Sequence, residues 1–325
     1  MCKASVETSA SDYASSPGTP VQRTVQTGTL VTTHVSVIVP VRCDARLAVC
    51  LDALSRQRTE YAFEVIVVDN DPTGTSRGIA ERFGATYVLE PRPGSYVARM
   101  AGVVVAKGDW LAFTDADCRP TPTWINAGMR ALRDDLDLIV GPVRTGPAPL
   151  GGSNPVTEYS RALMFDVEQM FRSKGTGVTA NLWIARARFN AVGGFTNESW
   201  SGQDQELCRR HQRLGGRCRL ADDVVVEHPP LASLKQLLGR TRRIAGGEFD
   251  MQQRSATGSP LPVAARAFLR AIPHVGQATH VWASARGAPP DRRIAATGLT
   301  MLTRWTSAIA MLKAASNGSE QEDVG

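Results

Sequence analysis

What most constrains this chain is a strict alternation that sets in at Val35. The run Val35-Ser36-Val37-Ile38-Val39-Pro40 is followed by Leu47, Cys50, Leu51 and Leu54 at helical spacing, and then by Phe63-Glu64-Val65-Ile66-Val67-Val68-Asp69. A β-branched run bounded by proline or turn formers reads as a strand. Apolar residues three and four apart read as one face of a helix. Strand, helix and strand within 35 residues form a βαβ unit, which requires parallel strands and a crossover helix. The pattern continues, with helices expected over 76–83, 94–106, 123–133, 156–171 and 204–214. Strands are expected over 86–89, 110–114, 138–143, 181–185 and 224–227, with a Gly/Pro-rich loop over 146–155. Such alternation predicts an α/β fold with a doubly wound sheet.

Composition excludes several alternatives. Hydrophobic residues make up 42%, too many for a globally disordered chain. None of the six cysteines stands in a Cys-x-x-Cys pair, so a zinc ribbon or thioredoxin-like site has no support. Residues 1–33 are rich in Ser and Thr and contain no apolar run, and are expected to be a disordered tail without a signal peptide. No stretch of 18 uncharged apolar residues occurs, so the expectation is a soluble, cytoplasmic protein. The net charge of +6 is concentrated at the C-terminus. Residues 231–325 hold 12 basic and 6 acidic side chains, and the first 230 hold 25 of each. A basic quarter suits phosphates or an anionic surface; a solvated Arg-rich face is the plainer reading. Its Arg-rich stretches lack interleaved aromatics, which argues against nucleic acid as a partner.

Open α/β sheets bind ligands at the carboxyl ends of their strands. The first strand ends at Pro40-Val41-Arg42, the second at Asp69-Asn70-Asp71, the 110–114 strand at Asp115-Ala116-Asp117, and the 224–227 strand at Glu227-His228. Carboxylates two apart at a strand end can share a site, and their oxygens suit Mg²⁺ or Mn²⁺, which grip a diphosphate. His228 adds either an imidazole ligand or a structural strand cap. Asp69 can accept from a base or ribose, or act as an ordinary turn aspartate ahead of Asn70-Asp71-Pro72-Thr73-Gly74. Arg99 can clamp a diphosphate or lie on a solvated helix face. Asp204 and Glu206 open a helix, where acidic residues favour the positive end or serve as a general base.

These motifs, in this order, resemble the family 2 glycosyltransferases of the GT-A fold over roughly 35–249. The resemblance rests on the Val35–Pro40 run, Val65-Ile66-Val67-Val68-Asp69-Asn70, and Glu90-Pro91-Arg92-Pro93-Gly94 leading to Ala98-Arg99. It rests also on Gly108-Asp109-Trp110 leading to Asp115-Ala116-Asp117, on Gly193-Gly194-Phe195, on Gly202-Gln203-Asp204 and on Glu227-His228. It implies a GT-A glycosyltransferase domain over 34–250, a helical C-terminal extension over 251–316 and a disordered tail over 317–325. It implies that Pro40, Val41 and Asp69 line the base pocket, that Arg99 assists with base or phosphates, and that Asp115 contacts the ribose. Asp117 is the implied metal residue with His228 as a further ligand, and Asp204 the catalytic base. Residues 181–185 with Gly193-Gly194 would shape the acceptor side. The implied cofactor is Mg²⁺ or Mn²⁺. The implied reaction moves a sugar from a nucleoside-diphosphate donor to a hydroxyl acceptor with inversion, the acceptor being a lipid-linked glycan, a polysaccharide or a small natural product. Three positions depart from the family pattern. Gln203 replaces a Glu, Cys43 stands where Asn is frequent, and Met100 stands where Asn commonly follows the Arg. Gln203 keeps open a second reading, a catalytically silent sugar-nucleotide-binding scaffold. Ile294, Gly298, Met301, Leu302, Trp305, Ala308, Ile309 and Leu312 form one helical stripe. That stripe either packs on the protein or rests on an anionic membrane, which would place the enzyme at the inner membrane face.

Overall fold

The computed structural model describes residues 34–132, 136–146, 152–164, 166–196, 201–254 and 261–322. The 1–33 tail lies outside them. In chain order the elements are β1 (Val35–Val41), α1 (Leu47–Ser55), β2 (Phe63–Asp69), α2 (Arg77–Arg82), β3 (Thr86–Leu89), α3 (Ser95–Val105) and β4 (Trp110–Phe113). Next come β5 (Arg119–Pro120), α4 (Trp124–Ala131), β6 (Leu138–Val140), β7 (Val143–Thr145), α5 (Pro155–Leu163), α6 (Val167–Lys174), β8 (Leu182–Ala185) and α7 (Arg186–Ala191). The chain continues through α8 (Gln203–Arg213), β9 (Cys218–Leu220), β10 (Val226–His228), α9 (Leu234–Arg254), α10 (Val263–Ala271), α11 (Val275–Ser284) and α12 (Pro290–Glu322).

The chain divides into two compact units. The first comprises Met1–Arg144, Val167–Thr196 and Asp204–His228; the second comprises Thr145–Asp166, Asn197–Gln203 and Pro229–Gly325. In the first, seven strands form a sheet of order β3-β2-β1-β4-β8-β6-β9. β3, β2, β1 and β4 run parallel, whereas β8 is antiparallel to both β4 and β6. Every residue of β2 is buried, as expected of a parallel strand covered on both faces. Val41 stands opposite Asp69, and Asp69 opposite Leu89, so three strands end level. A second sheet, β5-β10-β7, carries the chain past the carboxyl end of β4.

One buried amide ties the centre of this unit together. Asn181 ends the 3₁₀ turn ahead of β8 and is fully buried. Its Nδ2 donates to the carbonyls of Pro142 at 2.9 Å and Val224 at 2.7 Å, and its Oδ1 accepts from Trp124 Nε1 at 3.0 Å. Trp124 packs edge-on against Trp183, with centroids 4.7 Å apart. Gly128 makes room for them: a Cβ there would come within 2.6 Å of the Trp183 ring.

The second unit is helical. Asn154 caps α5, its Oδ1 accepting from the amides of Val156 and Thr157, and Pro155 takes the first helical position. Along α12, Ala308 and Met311 pack with Phe249 and Ala267, and Ala296 packs with Val281 and Ala162.

Several sequence expectations change. The helix expected over 156–171 is two helices, because α5 ends at Leu163 and α6 starts after Asp166, a residue type favoured at a helix start. The strand expected at 224–227 begins at Val226, since Val224 N closes a turn onto Ala221 O at 3.1 Å. The boundary expected at 250 falls inside α9, which belongs wholly to the helical unit. The tail expected to be disordered from 317 is helical through Glu322, because extending an established helix costs little per residue. The 294–312 stripe is divided: Ala308 is buried, while Ile294 (62% exposed) and Trp305 (50%) face outward.

Asn181→Ala would leave the Val224 carbonyl and the Trp124 N–H without their described partner, while Pro142 O keeps the Val226 amide at 3.2 Å. At about 1–3 kcal/mol for each of the two groups, denaturant unfolding is expected to show a loss of about 2–6 kcal/mol. A loss under about 1 kcal/mol would contradict the tie.

Candidate active site

β1 and β4 are neighbours, yet the chain leaves β1 towards β2 on one side while β4 adjoins β8 on the other. This is a topological switch point, where the loops part and leave a crevice at the strand ends. Four groups of side chains meet on its rim.

The first is Asp117 with its neighbours. Its Oδ2 lies 3.3 Å from His228 Nε2 and 3.2 Å from Arg46 Nη1. Arg46 precedes α1 and is braced by Asp44, which accepts from Nε at 2.9 Å and from Nη2 at 2.6 Å. Burial pushes the Asp117 carboxyl up from its ordinary value, against the pull of His228 and Arg46. His228 ends β10, and the pairing of β10 with β5 brings it to a loop 111 residues earlier in the chain.

The second is Arg99 with Asp115. Arg99 is 4% exposed and its Nη2 donates to Asp115 Oδ1 at 2.5 Å. The Tyr96 ring, one turn earlier on α3, lies 5.3 Å from the guanidinium carbon. Arg99 Nε has no hydrogen-bond partner among the described residues. Asp115 is 33% exposed at its side chain, so it keeps a face towards solvent.

The third is the β2 end. Asp69 is fully buried and its carboxylate is taken up locally: Oδ1 accepts from Asp71 N at 3.1 Å, and Oδ2 from Ser76 N at 2.8 Å and Tyr87 Oη at 3.3 Å. Asp69 therefore shapes the 70–76 turn and offers no open oxygen. Asn70 does the reaching instead. Its Nδ2 donates to the carbonyls of Glu90 at 2.8 Å and Arg92 at 2.6 Å, and its Oδ1 accepts from Gly94 N at 2.9 Å. That holds the entry to α3, where Gly94 has φ +133°. Pro40 and Val41 form the end of β1, with Val41 buried.

The fourth is Asp204, in the first turn of α8 and 8% exposed. Its Oδ2 accepts from Thr179 N at 3.2 Å and its Oδ1 from Gln205 N at 2.9 Å. Burial raises its carboxyl above the ordinary range; the two amides and the Arg99 charge oppose this, and Asp115 adds to it. The rival Glu206 is engaged elsewhere, accepting from Arg210 Nε at 2.7 Å. Arg210 also donates to the carbonyls of Val192 and Gly194, which fixes the Gly193-Gly194 turn.

The chemistry of the donor set fits a divalent cation. Asp117, Cys118 and His228 place one ligand atom each within 4.8 Å of one another. Burial pushes the Cys118 thiol well upward, which disfavours the thiolate that would ligate a cation. A carboxylate and an imidazole remain, a pair suited to Mn²⁺.

Sequence reasoning placed Asp115, Asp117, Arg99, Asp204 and His228 near strand or helix ends, and the fold brings them to one rim. It missed Arg46, Asn70 and Thr179. Arg46 lies in the loop after β1, where the strand-end search stopped at Arg42. Cys43 explains one family departure: its φ of +48° is left-handed, a conformation asparagine tolerates.

Residues 36–193 match the family model described as glycosyl transferase family 2 and form a domain of that family. Among characterised relatives, the glycosyltransferase AglE of Haloferax volcanii is 29% identical over 227 residues, covering 67% of this chain and 73% of AglE. The hyaluronan synthase of Pasteurella multocida is 26% identical over 228 residues, covering 57% of this chain but 24% of that enzyme. Among solved structures, the mannosyltransferase PcManGT from Pyrobaculum calidifontis, in complex with GDP-Man and Mn²⁺, aligns with a TM-score of 0.53 at 21% identity. That alignment covers 87% of this chain and 86% of PcManGT. The fold is GT-A.

Asp117→Ala is expected to weaken Mn²⁺ binding, followed by electron paramagnetic resonance titration, by more than about tenfold, the lower end of what losing even an outer-sphere partner costs. Unchanged Mn²⁺ affinity would remove Asp117 from the ligand set.

Proposed function

We propose that the protein transfers a glycosyl group from a nucleoside-diphosphate sugar to an acceptor hydroxyl by a single displacement with inversion. The observation that carries this reading is Asp204. It is a buried carboxylate held by two backbone amides, with an upward-shifted pKa, within electrostatic reach of the Arg99–Asp115 pair. A base is most effective when its pKa approaches the working pH, and burial moves Asp204 in that direction. Its carboxylate takes the acceptor proton as the acceptor oxygen bonds to the anomeric carbon. The bond from that carbon to the diphosphate oxygen breaks, and the nucleoside diphosphate leaves with the electron pair.

Retention by double displacement needs a second free carboxylate at the same centre. Asp115 is bound by Arg99, Asp117 by Arg46 and His228, and Asp69 by its turn. Asp117 and His228 would hold a divalent cation, whose chemistry is to offset charge on the leaving diphosphate. PcManGT, a protein of the same fold, is in complex with GDP-Man and Mn²⁺, a donor and cation of this class. Asp115 keeps the exposed face that a ribose contact requires, and Arg99 orients it.

A panel of UDP-, GDP- and dTDP-sugars is the substrate screen. Asp204→Asn is expected to lower transfer by about 10²–10⁴-fold while donor affinity, measured by calorimetry, holds. Glu206→Gln should stay near wild type. The acid limb of kcat/KM should lie above the ordinary Asp value of 3.8, since protonated Asp204 cannot accept a proton. Turnover undiminished in Asp204→Asn contradicts the assignment. Donor binding without turnover by the wild type across the panel would favour the silent scaffold.

Peripheral membrane contact is a further part of the proposal. Ile294, Trp305, Ile309 and Leu312 on α12 and Phe268 and Leu269 on α10 are exposed, in a region with a basic surplus. No described helix is long and apolar enough to cross a membrane. The protein is expected to float with anionic vesicles and to release at high salt, because screening weakens surface attraction. No flotation of the full chain would remove this contact.

A further inference from the structure

The helical unit contains a cavity of about 230 Å³ bounded by α5, α9, α10, α11 and α12. Three guanidiniums line it, Arg240, Arg270 and Arg304, and among the described lining residues none is acidic. Arg270 is matched from outside the lining by Glu248. Arg304 is held in place by main-chain acceptors alone among its described contacts: Nε donates to Ile272 O at 2.5 Å and Nη2 to Leu269 O at 3.2 Å. Tyr159 and Thr303 add two hydroxyls, 2.9 Å apart. The Tyr159 phenol is raised by burial and pulled back by Thr303 and by the charges of Arg240 and Arg304, so both guanidiniums act on one spot. The remaining wall combines five apolar residues, among them Leu163, Leu237 and Ile244, with Ser160, Thr241, Gln277 and Ser307.

We propose that this cavity is a binding site for a phosphate monoester carrying an apolar chain. Three features select that chemistry. A cationic wall with no lining carboxylate calls for an anion. A phosphate carries about −1.5 to −2 charge and three acceptor oxygens, which matches several guanidinium and hydroxyl donors better than the single charge of a carboxylate. The volume falls below the roughly 300–1,000 Å³ of pockets that enclose a whole drug-sized ligand. The site is therefore sized for a head group with the start of its chain. The apolar part of the wall is what separates an alkyl phosphate from free phosphate. The inference is independent of the transferase reading, since binding is measured without donor or acceptor.

The test is calorimetry on the full chain with octyl phosphate below its micellar concentration, inorganic phosphate and octanol. Octyl phosphate is expected to bind at least tenfold more tightly than either of the others. Arg240→Gln and Ile244→Glu, each checked for an unchanged melting profile, should each lower that affinity at least tenfold. The second variant places a carboxylate on the wall and removes no cation, so it stays informative if the first fails to fold. Equal affinity for inorganic phosphate would mean the cavity serves free phosphate, and equal affinity for octanol would mean no anion recognition. Either result, or octyl phosphate binding unaltered by Ile244→Glu, overturns the proposal.

Discussion

The buried ion pair between Arg99 and Asp115 is the contact on which the site depends. Taking a guanidinium to 4% exposure carries a desolvation cost of several kcal/mol, and the pairing with Asp115 offsets it only if the geometry is good. That requirement locks α3 to the loop after β4. The upstream side is locked in turn by Asn70, whose amide holds both carbonyls and the amide that lead into α3. The 115–117 loop thus inherits its position from two strand ends at once. Asp117 then has a fixed place against His228, and Asp204 has a cation nearby that moderates the cost of its burial.

The carboxylates of the site differ because their surroundings differ. Asp69 spends its oxygens on a turn, Asp115 is neutralised by a guanidinium, and Asp117 sits between a guanidinium and an imidazole. Asp204 accepts from two backbone amides and from no side chain among its described hydrogen bonds. One residue type is therefore placed in four different environments by burial and partners, with no change in side-chain chemistry, and the proposed roles of donor contact, cation ligand and base rest on those differences.

Long apolar strands were legible in the sequence because parallel strands buried on both faces need continuous β-branched runs, as β1 and β2 show. β5, β7 and β9 are two or three residues long and carry no such run, so their pairing is decided by tertiary contacts. The break between α5 and α6 was hidden by helical spacing that continues across it. At the site, strand-end carboxylates could be found by position alone. The use of Asp69 could not, since its partners Ser76 and Tyr87 are set by how the turn closes. Arg46 was equally hidden, because its meeting with Asp117 depends on β1 lying beside β4.

The central claim is that one base at Asp204 serves a single displacement. The most direct measurement is the anomeric configuration of the first product, followed by proton NMR from the start of turnover with an α-linked sugar-nucleotide donor. A β-linked product from the earliest time points is the predicted result. An α-linked product would mean net retention, which a single back-side displacement cannot give, and would contradict the account.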